Sequence, residues 1–154
     1  MDVISIVITA IAALTAVGIL YVNVKNRQDS RKQLKLSVKP NLWLNSVSQS
    51  NGYQRGSHFK GELNFDILNN GETATMLELK LNSNDVLLHN LHLPRDIENG
   101  GKWFFSSNTK GQKSVQSCEY EIDIIYSDKL ENRYLSKIKG KGTYAKIVET
   151  SEIK

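Results

Sequence analysis

The sequence predicts a single N-terminal transmembrane helix followed by an all-β domain, a β-sandwich or partly open barrel of about seven strands. Three observations predict it. Residues 3–24, VISIVITAIAALTAVGILYVNV, run for twenty-two positions without a charged side chain. Further on, apolar residues recur at every second position in short runs divided by Asn, Gly, Ser and Asp, the signature of strands and turns. No amphipathic helical period follows residue 34. The chain divides into a transmembrane helix, 1–24, a basic juxtamembrane neck, 25–33, and a β-rich domain, 34–154.

At about 1.5 Å per residue the uncharged run reaches roughly 33 Å as a helix, enough to cross a hydrocarbon core of about 30 Å. Lipid offers the backbone no hydrogen-bonding partner, so a lone apolar segment crosses as a helix whatever its β-branched content. A cleaved signal peptide fits less well, because it opens on a basic region and carries an apolar core of only about 7–15 residues. Here the chain begins Met1-Asp2, has no basic residue before Lys25 and shows no A-x-A near Tyr21. Ser5, Thr9, Ala13 and Ala16 form a stripe of small residues, which lets helices approach closely in lipid and predicts a homo-oligomer. The span holds no ionisable group, so one copy offers no proton relay.

Orientation follows from the charges beside the span. Lys25, Arg27, Arg31, Lys32, Lys35 and Lys39 stand against Asp29 alone, a net of +5 over residues 25–39. Basic residues beside a span stay on the cytoplasmic side, which predicts an inner-membrane, single-pass protein with its N-terminus outside and its C-terminal domain in the cytoplasm. Lys25, Arg27, Arg31, Lys32 and Lys35 are the expected contacts with the bilayer surface. Cys118 is the only cysteine, which agrees with a reducing compartment. Six of the 20 basic residues and two of the 16 acidic ones precede residue 40, leaving 14 of each beyond it. A domain of zero formal charge does not predict binding to DNA or long RNA.

Leu34, Leu36 and Val38 alternate with Lys35, Ser37 and Lys39 as a strand would, and Leu42 and Leu44 resume after Pro40. Residues 46–57 have loop composition. Gly61, Leu63, Phe65 and Ile67 alternate into a strand ending at Asn69-Asn70-Gly71, and Thr75, Leu77, Leu79 and Leu81 make the next, so the two read as an antiparallel hairpin. A short strand from Val86 and another from Trp103 follow, on either side of Pro94 and Gly100-Gly101. The last hairpin is the best specified. With Tyr126 facing Tyr134, one register sets Ile122 opposite Ile138, Asp123 opposite Lys137, Glu121 opposite Lys139 and Glu119 opposite Lys141. That ladder neutralises three members of the basic run Arg133, Lys137, Lys139, Lys141 and Lys146, which in isolation resembles a phosphate patch.

No Walker motif, G-x-S-x-G or CxxC pair is present, and Cys118 falls on an inward strand position, so the chain reads as no enzyme and as needing no cofactor. His89 and His92 would suit a metal only on a helix with converging carboxylates, and they read as loop histidines. Two loops are ligand candidates. Tyr53, Arg55, Ser57 and His58 lie in the long polar stretch; Gly100-Gly101-Lys102-Trp103 could offer backbone N–H groups, the Lys102 charge and the Trp103 ring to a phosphate. Both sequences also occur in ordinary turns.

In its order of parts, helix then basic neck then compact domain, the chain resembles small membrane-anchored bacterial defence effectors, specifically the membrane effectors of type III CRISPR systems that answer to cyclic oligoadenylate. The resemblance is one of layout and carries over no functional residue. It implies a homo-oligomer, a cyclic oligonucleotide second messenger bound by the cytoplasmic domains, and a rearrangement of the helix bundle that breaches the membrane in antiviral defence. The competing reading is a membrane-tethered β-sandwich adaptor that binds a protein partner and has no ligand-gated activity.

Overall fold

The computed structural model describes residues 2–50, 61–89, 91–111 and 113–153, without the side chains of 3–10 and 12. Its first unit is one continuous helix, α1 (Val3–Ser37). Among the described residues no helix is long and apolar enough to cross a membrane. The transmembrane reading of 1–24 therefore rests on the sequence. The strand predicted from Leu34, Leu36 and Val38 is not formed, because α1 continues to Ser37. Leu34 and Leu36 are 52% and 73% exposed, so their alternation reflects no buried face. Arg, Lys, Gln and Leu are good helix formers and carry the helix onward until Pro40, whose ring disfavours helical geometry at the residue before it.

The second unit, 38–154, is a two-layer β structure. Its strands are β1 (Leu42–Ser50), β2 (Glu62–Asn69), β3 (Ala74–Leu81), β4 (Val86–His89), β5 (Arg95–Ile97), β6 (Lys102–Thr109), β7 (Glu119–Ser127), β8 (Arg133–Lys141) and β9 (Tyr144–Ile153). Four form one sheet in the order β1-β2-β6-β4, and five form the other in the order β5-β3-β7-β8-β9; every pairing is antiparallel. The sandwich expectation is met, with nine strands in place of about seven among the described residues. Alternation along β2, β6, β7 and β8 turns Leu63, Phe65, Ile67, Trp103, Phe105, Tyr120, Ile122, Ile124, Tyr126, Tyr134 and Ile138 inward as a single core.

The hairpin expected between β2 and β3 does not form. The two strands lie in different sheets, β2 beside β1 and β6, and β3 beside β5 and β7. Fully buried Asn69 directs the crossing. Its Oδ1 accepts from the amides of Asn41 (3.1 Å) and Gly71 (3.0 Å), and its Nδ2 donates to the carbonyls of Glu72 (2.7 Å) and Ile97 (2.9 Å). One carboxamide thus ties the start of β1, the β2–β3 crossing and the end of β5. Gly71 is needed there, since a Cβ would lie 2.6 Å from the Lys39 carbonyl oxygen and against the Asn41 nitrogen.

Asp128 fixes the neighbouring turn between β7 and β8. Its carboxylate accepts from the amides of Leu130 (2.8 Å) and Asn132 (2.9 Å), from Asn132 Nδ2 (2.8 Å) and from the Tyr134 hydroxyl (2.9 Å). Burial opposes the charge, but the donors from Asn132, Tyr134 and Leu130 outweigh it and hold the carboxyl below its ordinary value. A depressed carboxyl contributes stability above its unfolded value, about pH 3.9, and loses it as the pH falls through the folded value. Acid titration of the full chain in detergent should therefore show stability falling below about pH 4, and Asp128→Asn should flatten part of that slope. An unchanged slope would remove Asp128 from the acid response.

The β7–β8 register is the one read from the sequence, with Tyr126 opposite Tyr134, Asp123 opposite Lys137, Glu121 opposite Lys139 and Glu119 opposite Lys141. Glu119 meets Lys141 at 2.8 Å, while Glu121 takes both Lys139 at 2.8 Å and Lys137 at 3.3 Å. Asp123 accepts instead from Asn82 Nδ2 across the β3 side. β1 extends to Ser50 inside the stretch expected to be loop, because an edge strand can pair with β2 through Ser46, Ser48 and Ser50 without a buried row. Among the described residues the edge strands are unequal in length. β4 and β5 have 4 and 3 residues, whereas β1 and β9 have 9 and 10.

Candidate functional site

β1 and β9 close the same side of the two sheets, and between them lies a cleft of about 550 Å³. Leu44, Asn45, Ser46 and Val47 form the β1 wall; Tyr144, Ala145 and Lys146 of β9, with Thr143 of the turn before it, form the other; Lys139 of β8 reaches the rim. A bulge between Leu44 and Ser46 sets Asn45 outward, where its Nδ2 donates to Asp66 Oδ2.

The cleft's charge is its distinguishing property. Lys139 and Lys146 stand directly opposite each other on β8 and β9, an arrangement of like charges that weakens a strand pair. Glu121 offsets Lys139 at 2.8 Å, but among the described residues no carboxylate lies within ion-pair distance of Lys146. Beside it the Tyr144 ring is 87% exposed. The Lys146 ammonium, the Lys139 ammonium shared with Glu121, an open aromatic face and the polar Ser46 and Thr143 can take an anion that also carries a flat ring.

Of the sequence-predicted ligand residues, Tyr53, Arg55, Ser57 and His58 lie outside the described residues. The Gly100–Trp103 candidate is not assembled as a phosphate cradle. Gly100 N–H donates to the Asn69 carbonyl (2.7 Å) and Gly101 N–H to the Glu98 carbonyl (2.9 Å), so neither is available to a ligand. Trp103 points into the core at 3% exposure, packed on Phe105, and Lys102 turns to the opposite face, 3.4 Å from Asp66. Alternation in β6 separates the two side chains. The neck residues Lys25, Arg27, Arg31, Lys32 and Lys35 are all exposed on α1, with Arg27, Arg31 and Lys35 spaced by four along one stripe.

Lys146 appeared in the sequence as one of a basic run; Tyr144 gave no signal. What could have marked them is the ladder itself, since Glu119 and Glu121 are used up by Lys137, Lys139 and Lys141 and leave none for Lys146.

Cys118 is fully buried, and its Sγ lies 3.3 Å from the Ser114 carbonyl oxygen. Burial, and then the nearby Asp85 charge, push its pKa up, the reverse of what a nucleophile needs. His89 ends β4 and His92 lies beyond it; among the described residues no three His, Cys, Asp or Glu side chains gather as a metal site.

The outer face of the four-stranded sheet carries a second feature, exposed aromatic rings at Trp43 (57%) and Phe104 (62%). Searches of protein-family models, of curated proteins and of solved structures return no match to this chain.

Proposed function

We propose that this chain is a single-pass, membrane-anchored sensor whose β unit takes a small anionic ligand in the cleft between β1 and β9. The observation that carries the reading is the opposed pair Lys139 and Lys146, placed beside exposed Tyr144 at a cost to strand pairing. A cyclic oligonucleotide has the chemistry to match, phosphates for the ammonium groups and a base for the ring. The uncharged run 3–24 and the basic neck in one helix support the anchor, with the N-terminus outside and the β unit in the cytoplasm at the inner membrane. By resemblance of layout, the output is an oligomeric helix bundle that perturbs the membrane in antiviral defence.

The alternative, a tethered adaptor for a protein partner, is favoured by the exposed Trp43 and Phe104. A binding screen separates the two. Full-length protein in detergent is titrated with cyclic di- and oligonucleotides while its mass is followed. The sensor reading expects a selective ligand bound by an oligomer, with Lys146→Ala weakening it about tenfold or more. Folded protein that binds none of them, or that binds with the same affinity after Lys146→Ala and Tyr144→Ala, would overturn the assignment of the cleft. A protein partner without membrane damage would favour the adaptor.

A further inference from the structure

Four side chains share the outer face of the four-stranded sheet at the end where the chain joins it. Trp43 on β1 stands opposite Leu68 on β2, and Leu68 stands opposite Lys102 on β6; one step along, Phe104 stands opposite Asp66. Leu68 is half-buried between the two exposed rings. Elsewhere this face is polar, with Ser48, Ser50, Glu62, Asn64, Ser106 and Asn108 along the same three strands. On these three strands the apolar patch is confined to the junction end; on β4, Leu87, opposite Asn108, is a further exposed apolar side chain of this face. Asp66 beneath it is 8% exposed and receives Asn45 and Lys102, so it presents little free negative charge.

We propose that this corner, Trp43, Leu68, Lys102 and Phe104, rests in the headgroup layer of the membrane that holds the helix. The inference rests on the membrane reading of residues 3–24. Aromatic rings with a lysine among them are the side chains that favour the boundary between headgroups and acyl chains. The connection is short: from residue 24 to Ser37 the helix rises about 20 Å when upright and less when tilted, and Trp43 follows Ser37 by only six residues, of which Lys39 and Asn41 are hydrogen-bonded into the β unit. A tethered surface needs little intrinsic affinity, because the effective concentration of lipid around it is already high. Charge is complementary too. The net of +5 over residues 25–39 precedes this corner, and basic residues beside an anionic leaflet are drawn to it.

The two tryptophans make a direct test, since Trp43 is exposed and Trp103 is buried. Full-length protein is reconstituted into vesicles of phosphatidylcholine and phosphatidylglycerol brominated near the headgroup, and its emission is compared with that of Trp43→Phe and Trp103→Phe. Flotation of the vesicles reports the anchor separately. The proposal expects the protein to float, and the Trp43 component to be blue-shifted and quenched about twofold or more. It further expects Lys102→Glu to diminish that quenching, with Trp103 unaffected. Protein that floats while Trp43 emits as a water-exposed indole without quenching would overturn the docked corner and leave the anchor standing. A blue shift that grows with protein density and escapes bromine would overturn it in favour of a second copy on the patch. Failure to float would overturn the membrane reading and this inference together.

Discussion

Asn69→Ala is expected to cost about 3–5 kcal/mol and to leave a large share of the β unit unfolded. The side chain is fully buried and serves two amide donors and two close carbonyl acceptors, from Asn41, Gly71, Glu72 and Ile97. Alanine offers none of these partners, and each buried group left unpaired costs about 1–3 kcal/mol. Asn69→Asp separates the two halves of the role. It keeps an acceptor for the amides of Asn41 and Gly71 but turns an oxygen on the carbonyls of Glu72 and Ile97, so it should also destabilise strongly. Urea unfolding of the full chain in detergent, followed through buried Trp103, measures both. A loss below about 1 kcal/mol for the alanine variant would show that water replaces the carboxamide and that the crossing is held elsewhere.

Phe65→Ala should have a comparable effect by a different route. The ring is fully buried at the centre of the core, stacked on Phe105 with centroids 4.6 Å apart and meeting the Tyr120 ring edge-on at 5.3 Å. Truncation removes the transfer free energy and leaves a cavity between the sheets, about 3–5 kcal/mol in all. Phe65→Leu fills most of the space and should lose much less. Tyr120 gives a local readout. Burial pushes its pKa up to about 12, and its hydroxyl donates to the Gly142 carbonyl at 2.8 Å. Opening the space beside it should move that titration toward the ordinary tyrosine value near 10, measured by ultraviolet absorbance. A folded variant with an unmoved Tyr120 titration and a loss under about 1 kcal/mol would mean that the core closes over the gap.

The strands legible in the sequence are those with one face buried and one charged. β7 and β8 carry both signals over nine residues each, and one register satisfies them together. β9 escaped detection because a bulge opposite Lys137 and Ile138 shifts its alternation by one residue, leaving Val148 exposed between Ile147 and Glu149. Period two also misled where no sheet was available, at Leu34 and Leu36, since alternation over a few residues is compatible with an exposed helix. Which strands become neighbours was the least visible property. Asn69-Asn70-Gly71 reads as a hairpin turn, and only the buried partners of the Asn69 side chain show that the chain passes to the other sheet. The site was legible to the same degree. Gly100-Gly101-Lys102-Trp103 has the composition of a cradle, yet its amides already serve Asn69 and Glu98; the Lys139–Lys146 opposition is set by the turn between Lys141 and Tyr144 and needs β9, whose alternation the bulge beyond that pair obscures.

The unequal flanks of the sandwich give it a direction of growth. β4 and β5 are too short to template another chain, while β1 and β9 present runs of 9 and 10 residues without a proline. Among the described residues, a strand added from outside finds a long backbone edge only on the side where β1 and β9 face each other across the cleft. Charges at Lys146, Glu149 and Glu152 interrupt the β9 border and act as its guard against polymerisation.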